Sequence, residues 1–347
     1  MIMRPLARRF SVALGVLTLT VGGSALIASP AQAGTPMPAH VYAPYFETWT
    51  TDSLTTIAQE SGAHYLTMAF LEVPSKNSCV PAWNGDASEP ASGGLYLSDI
   101  TSLRAIGGDV IPSFGGFSAD NGGTELADAC TNVNSIAAAY ESVITTYDVT
   151  RLDMDVEAKS LNNAAGIDRR NKAIALVEAW ATAQGRPLQI SYTLPVEPAG
   201  LESNGLAVLQ NAVANNARVD VVNIMTFDYY DKTTTDMAAA AISAAQGLHA
   251  QLATLYPTKT SAELWAMEGN TILPGIDDYP KKTEVTSVAD AQALVAFAQA
   301  NGIGTLSIWA IERDNGGCPG KTDENDCSGI VQSTWAFSQV LDAYTGS

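Results

Sequence analysis

The chain has 347 residues, with 36 acidic side chains against 18 basic ones and a formal net charge of −18 at neutral pH. Such a field repels phosphate polymers and anionic lipid while leaving a neutral polysaccharide unaffected, which argues against nucleic acid as a partner. The length admits two domains by simple division, but barrels often run this long as one, so organisation along the chain has to decide.

Residues 1–33 are read as a secretory signal peptide: Arg4, Arg8 and Arg9 precede an apolar run from Phe10 to Ile27 that ends in Ala31-Gln32-Ala33. The run is long enough for a membrane span to be weighed, but the basic leader, the glycines and the small residues before Gly34 favour cleavage. Cleavage removes three positive charges and no negative ones, so −18 becomes −21 for a mature chain of 314 residues. A short extension, residues 34–39, then leads into the region 40–347.

From residue 40 onward, short apolar β-rich runs alternate with longer segments of helical character. The first unit pairs a strand at Val41 to Tyr45 with a helix at Ser53 to Ser61, which Asp52-Ser53 can cap. Strands at Tyr65 to Phe70 and Val110 to Phe114 precede helices at Ser98 to Ile106 and Val133 to Tyr147, the latter opened by Asn132. Next come strands at Arg151 to Glu157, Leu188 to Leu194 and Val219 to Phe227, followed by helices at Ala164 to Gln184, Leu206 to Asn216 and Asp236 to Leu255. The last two units place strands at Glu263 to Met267 and Thr305 to Ala310, and helices at Val288 to Ala300 and Ile330 to Tyr344. Eight β/α units in strict alternation specify a parallel sheet that closes on itself, a single (β/α)8 TIM barrel of the α/β class. A doubly wound open sheet is the competing reading, but no Gly-rich phosphate turn follows the first strand. Between Met267 and Thr305 there is room for a loop and one helix, not for a large insertion domain between strands seven and eight.

Four cysteines remain in the mature region, and an even count in an exported chain points to disulfides with three possible connectivities. The expected pairs are Cys318 with Cys327, across a short Gly/Pro/Asp-rich loop, and Cys79 with Cys130. Zinc is disfavoured because there is no CxxC and His40, His64 and His249 are scattered.

The segment Arg151-Leu152-Asp153-Met154-Asp155-Val156-Glu157 carries the most information. In a strand its side chains alternate, so Asp153, Asp155 and Glu157 share one face and Leu152, Met154 and Val156 the other. The apolar face suits packing on helices. The acidic face then points into the barrel or its mouth, with carboxylates about 7 Å apart that repel one another and lose hydration. A solvated edge is the bland reading of a charge run, but a closed barrel has no edge. A calcium site is another, but the flexible loop and central glycine of an EF-hand are missing. Burial beside like charges is how enzymes keep a carboxyl group protonated near neutral pH, and catalysis is the favoured reading. Glu157 is the natural acid, since it ends the strand and catalytic groups of such barrels sit at C-terminal strand ends.

With these residues in view, the chain resembles glycoside hydrolase family 18, which holds chitinases and some endo-β-N-acetylglucosaminidases. Ser113-Phe114-Gly115-Gly116 is similar to the SxGG motif of that family, and Asp153 to Glu157 to the core of its DxxDxDxE motif. Met225-Thr226-Phe227-Asp228-Tyr229 resembles the sixth-strand MxYD region, and Trp309 falls where the eighth-strand tryptophan is expected. The resemblance covers nearly the whole mature chain. It implies a retaining mechanism in which the substrate supplies its own nucleophile. Glu157 would protonate the glycosidic oxygen and later activate water, Asp155 would hold the 2-acetamido group, and Asp153 would share a proton with Asp155. Asp228 and Tyr229 would fix the acetamide from the opposite wall, and Trp309 would form the floor under the sugar. Thr150 stands where the long motif has its first Asp, and Phe227 where the sixth-strand motif often has Tyr, a hydroxyl that Tyr229 would replace if alternation persists.

Further candidates for the substrate-binding surface are Tyr45, Phe70, Met225, Gly115 and Gly116, with plain packing the competing role for each and the favoured one for the glycines. Trp49, Trp83 and Trp265 are possible outer sugar platforms. The leader implies a secreted, extracellular protein, the resemblance implies an enzyme on chitin or another N-acetylglucosamine-containing glycan, and the short connection after strand seven implies an open cleft and internal cleavage. No cofactor or metal is implied. The expected partner is the glycan alone, without nucleic acid, without a membrane after signal cleavage, and with the chain as a monomer. An enzyme acting on the chitobiose core of N-glycans and a non-catalytic chitin-binding protein are the alternatives. No Walker loop, HExxH or GxSxG of the mature chain supports other chemistry.

Overall fold

The computed structural model describes residues 34–230, 232–277, 283–321 and 325–347. The segment read as a signal peptide, 1–33, lies outside the described residues. The described residues from 34 to 347 form one compact unit.

Eight parallel strand positions make a closed ring. The first is split into Val41–Tyr42 and Tyr45–Glu47, and the others are Tyr65–Glu72, Asp109–Gly115, Arg151–Asp155, Gln189–Pro195, Val221–Met225, Glu268–Ile272 and Thr305–Ile308. The split strand performs the closure. Val41–Tyr42 pairs with the eighth strand and Tyr45–Glu47 with the second. At the gap, the Ala43 amide donates to the Leu306 carbonyl at 2.9 Å and the Thr67 amide to the Pro44 carbonyl at 2.8 Å. Proline lacks an amide hydrogen, so its carbonyl alone joins the ladder there.

The helices form where side chains can cap them. Ser53 accepts from the Thr56 amide ahead of Leu54–Ser61, and Asn132 accepts from the Ser135 amide ahead of Val133–Tyr147. Ser287 and Asp290 exchange reciprocal bonds at the start of Val288–Asn301. Outward strand residues such as Leu152, Met154 and Val156 lie in the main apolar cluster with Ile174 and Val177 of the helix Ala164–Ala183. Each such side chain contributes about 1.5–3 kcal/mol by leaving water.

The seventh unit differs from the expected one. Glu263 to Met267 is not a strand, because Thr260 and Glu263 form a capping box that starts the helix Ser261–Ala266, and the strand follows at Glu268–Ile272. That strand reads Glu-Gly-Asn-Thr-Ile and is buried throughout, with Asn270 and Thr271 hydrogen-bonded to neighbours, so apolar periodicity could not reveal it. The last helix also starts later than expected, at Ala336, because Trp335 adopts a left-handed φ of 62° and Asp314 accepts from the amides of Phe337 and Ser338. Between strands seven and eight, the described residues hold a small antiparallel pair, Gly275–Ile276 with Val285–Thr286, and the helix Val288–Asn301. Both disulfides join the expected partners, Cys79 with Cys130 and Cys318 with Cys327.

Candidate active site

The inner face of strand four carries Arg151, Asp153 and Asp155 in sequence toward the mouth. Arg151 is buried at the closed end, where its Nη1 donates to Thr305 Oγ1 at 3.2 Å and its Nε to Gln189 Oε1 at 3.0 Å. Asp153 sits above it, buried, with hydroxyls on both oxygens. Oδ2 accepts from Tyr45 at 3.0 Å and Ser113 at 2.7 Å, and Oδ1 from Thr193 at 2.9 Å. Burial raises its proton affinity, and these hydroxyls, which favour the ion, oppose that rise.

Asp155, one strand repeat higher, is 3% exposed, and its Oδ1 has no hydrogen-bond partner in the protein. Burial first, then the charges of Glu157, Asp153 and Asp120, hold its pKa well above the ordinary carboxylate range. Glu157 lies just beyond the regular strand, partly exposed at the rim. Burial of its carboxyl raises its pKa to about 7, against an amide hydrogen bond from Phe117 that favours the ion. A carboxyl titrating there can give a proton near neutrality and take one back.

A fourth acid completes the cluster. Asp120, in the short helix Phe117–Gly122, is completely buried and accepts the backbone amide of Glu157 on Oδ2. It was not among the candidates drawn from the sequence. Its one signal there is position, four residues after Gly116 in Ser-Phe-Gly-Gly-Phe-Ser-Ala-Asp.

The two glycines of that segment act by what they lack. Gly115 has a φ of +103°, and a Cβ on it would lie 2.0 Å from the Asp155 carbonyl oxygen. A Cβ on Gly116 would meet the Phe70 ring at 2.6–2.9 Å. Strand three therefore lies tight against strand four, and Phe70 slides over it. Phe70 stacks on Trp309, with ring centres 5.4 Å apart and planes 15° apart, while Tyr45 meets Trp309 edge-on at 5.4 Å. Trp49 extends the group, 6.2 Å from Trp309. Trp83 is fully buried, donating to the Tyr147 hydroxyl, and Trp265 stacks on His249 outside the barrel, so neither belongs to this aromatic group.

The sixth-strand residues are arranged by acids from the next connection. Regular strand ends at Met225, which is half-buried, and Thr226 donates to Asn270 Oδ1 at 2.7 Å. The Asp228 amide donates to Asp277 Oδ2 at 2.9 Å, and those of Tyr229 and Tyr230 to Glu284 at 3.0 and 2.9 Å. Asp228 has a φ of 56°, which breaks strict alternation beyond Phe227, and Tyr229 is buried in the main apolar cluster. The premise that alternation carries Tyr229 to the face of Phe227 therefore does not hold. Thr150, at the position of the absent outer acid, lies at the closed end, where it donates to the Thr35 carbonyl at 2.9 Å. That departure leaves the mouth of the barrel untouched.

Among the described residues no group of three or more His, Cys, Asp or Glu could hold a metal ion. The arrangement is one for proton transfer beside an aromatic floor.

Comparison with known proteins places this geometry. The model of the family described as "Glycosyl hydrolases family 18" matches residues 41–292. The chain is 34% identical over 329 residues to a probable bifunctional chitinase/lysozyme of Escherichia coli, covering 90% of this chain and 36% of that protein. It is 34% identical over 294 residues to endochitinase 11 of Metarhizium anisopliae, covering 81% of this chain and 54% of that protein. This chain thus aligns with about a third and about half of these two relatives. Among solved structures, active domain 2 of a thermostable chitinase from Pyrococcus furiosus, a catalytic-site mutant complexed with chito-oligosaccharides, superposes with a TM-score of 0.79 at 32% identity, covering 90% of this chain and 96% of that one.

Proposed function

The chain belongs to glycosyl hydrolases family 18, and from that membership we propose that it is a secreted, endo-acting chitinase working with retention through the 2-acetamido group of its substrate. The observation that carries this reading is the pairing of a shielded Asp155 with a Glu157 whose carboxyl titrates at about 7, beside the stacked Phe70 and Trp309. Trp309 offers an apolar face for the C–H groups of a pyranose. Glu157 then protonates the glycosidic oxygen. As that bond breaks, the acetamide carbonyl oxygen of the same sugar bonds to the anomeric carbon, and positive charge spreads onto the acetamide. Asp155 faces that charge, and its poor solvation makes the attraction stronger than in water. Asp153, fixed by three hydroxyls, balances the charge on Asp155 by sharing its proton. Water activated by Glu157 opens the intermediate from the opposite side, returning the original configuration.

The substrate assignment draws support from the Pyrococcus furiosus chitinase domain, whose structure holds chito-oligosaccharides. Internal cleavage is supported by the connection between strands seven and eight, too short in sequence for a large insertion domain, and export by the basic and apolar leader at residues 1–33. The decisive experiment uses fluorogenic chito-oligosaccharides and soluble chitosan with the mature chain and its Glu157→Gln variant. The wild type should cut the oligomers and lower chitosan viscosity early, and the variant should lose about 10²–10⁴-fold in turnover while still binding. Near wild-type turnover in the variant, or activity confined to the N-glycan core of glycoproteins, overturns the proposal.

A further inference from the structure

We propose that Asp120 is a positioning residue for the reaction: with one oxygen it clamps the peptide of Glu157, and with the other it joins Asp155 and Glu157 as the outer member of a proton-sharing carboxyl cluster. The inference rests on the reading of Glu157 as the acid.

Three observations carry it. Asp120 is fully buried, and its Oδ2 accepts the amide of Glu157 itself, so its position sets the place where the strand stops and the glutamate turns into the cleft. Its Oδ1 has no partner in the protein and lies on the side of Gly115, where an added Cβ would come within 3.4 Å of it. Gly115 is the register partner of Asp155, whose Oδ1 is likewise without a partner. Two acids with unpartnered oxygens thus flank the end of strand four.

The charged groups around Asp120 come from three elements. Glu157 and Asp155 face it from strand four, Glu125 from the short helix Leu126–Ala129 that it caps, and Arg170 from the helix Ala164–Ala183. Arg170 Nη2 lies 2.8 Å from Glu125 Oε2, and both side chains are buried. Burial, then Glu125 and Glu157, raise the proton affinity of Asp120, while Arg170 and the Glu157 amide lower it. One cation is thus set against several acids, and the surplus of negative charge favours keeping a proton among Asp120, Asp155 and Glu157.

The test is Asp120→Asn, which keeps a carbonyl oxygen for the Glu157 amide but can neither ionise nor carry the shared proton. Without that negative neighbour Glu157 holds its proton less tightly, so the alkaline limb of kcat/KM should move to lower pH by about half a unit or more. Turnover should fall about tenfold while KM stays within about twofold, since Asp120 does not touch the sugar. Unchanged kcat and limb would overturn the proposal, and so would a loss of kcat with the limb in place, because displaced backbone slows a reaction without altering proton affinity. Should the Asn variant not fold, Asp120→Ser, smaller and still an acceptor, carries the same two readouts. Turnover that survives Glu157→Gln defeats the reading of Glu157, whereas turnover lost in that variant but untouched in Asp120→Asn defeats this inference alone.

Discussion

A single carboxyl group acquires its chemistry from what surrounds it. In the proposed role Glu157 needs its proton to act as an acid, and a pKa raised to about 7 by burial means the protonated form is present below that pH and is lost as pH rises through it. The rate profile under kcat/KM should therefore fall on its alkaline side near pH 7, and a profile flat to pH 9 would contradict the assignment. Tyr45 offers a second residue-level check. Tyr45→Phe removes the phenol that donates to Asp153 yet leaves Ser113 and Thr193 in place, so it should cost about 1 kcal/mol of stability and reduce kcat more than it raises KM. Denaturant titration and steady-state kinetics on the one variant measure both. The positions of neighbouring residues were readable to different degrees. The shared face of Asp153 and Asp155 follows from strand alternation, with Glu157 just past the strand end, whereas Asp120 comes from another unit and meets Glu157 through a backbone amide. No periodicity within one segment encodes such a contact.

Elements meet here at points where a side chain is missing or a charge is buried. Gly116→Ala would place a methyl group inside contact distance of Phe70 and would also strain a φ of +83°, so a loss of about 1–3 kcal/mol is expected, with weaker oligosaccharide binding as Phe70 leaves Trp309. Calorimetry and equilibrium binding would show the two effects together. The Arg170 and Glu125 pair ties the helix Ala164–Ala183 to the start of the helix Leu126–Ala129, which follows the segment that carries Asp120. Arg170→Met leaves Glu125 buried without its cation and should destabilise the fold by about 3–5 kcal/mol, measured by thermal or denaturant unfolding. The His249 and Glu268 contact is of another kind. Burial raises Glu268 to about 9 and lowers His249, so burial opposes charge on both partners of the 3.0 Å bond. Strand seven, which carries Glu268, is the element the sequence pattern misplaces: Leu264 and Met267 suggested a strand one turn too early, and the capping box at Thr260 takes those residues into a helix.

At the scale of the molecule, several buried acids keep their protons in the folded state to unusual pH. Burial raises Glu47 to about 8, Glu312 to about 7 and Glu268 to about 9, while the unfolded chain releases these protons near 4.5. Raised values contribute stability that is complete below the unfolded pKa and is lost as pH rises through the folded one. The melting temperature should accordingly be highest in mild acid and decline between about pH 5 and 9, and the opposite trend would show that these groups ionise without penalty. A net charge of −18 acts in the same direction, since repulsion grows as more acids ionise. The sequence by itself determined the eight-unit parallel barrel and the acidic face of strand four, because alternation and local caps are short-range rules written in consecutive residues, whereas it left the cysteine connectivity among three possibilities. Only the tertiary structure decided that strand one splits to close the ring, that Asp228 breaks the sixth strand's alternation, and that Asp120 stands against Glu157. Those features depend on backbone reversals and on contacts between distant segments, whose energy exists only once the chain has closed on itself.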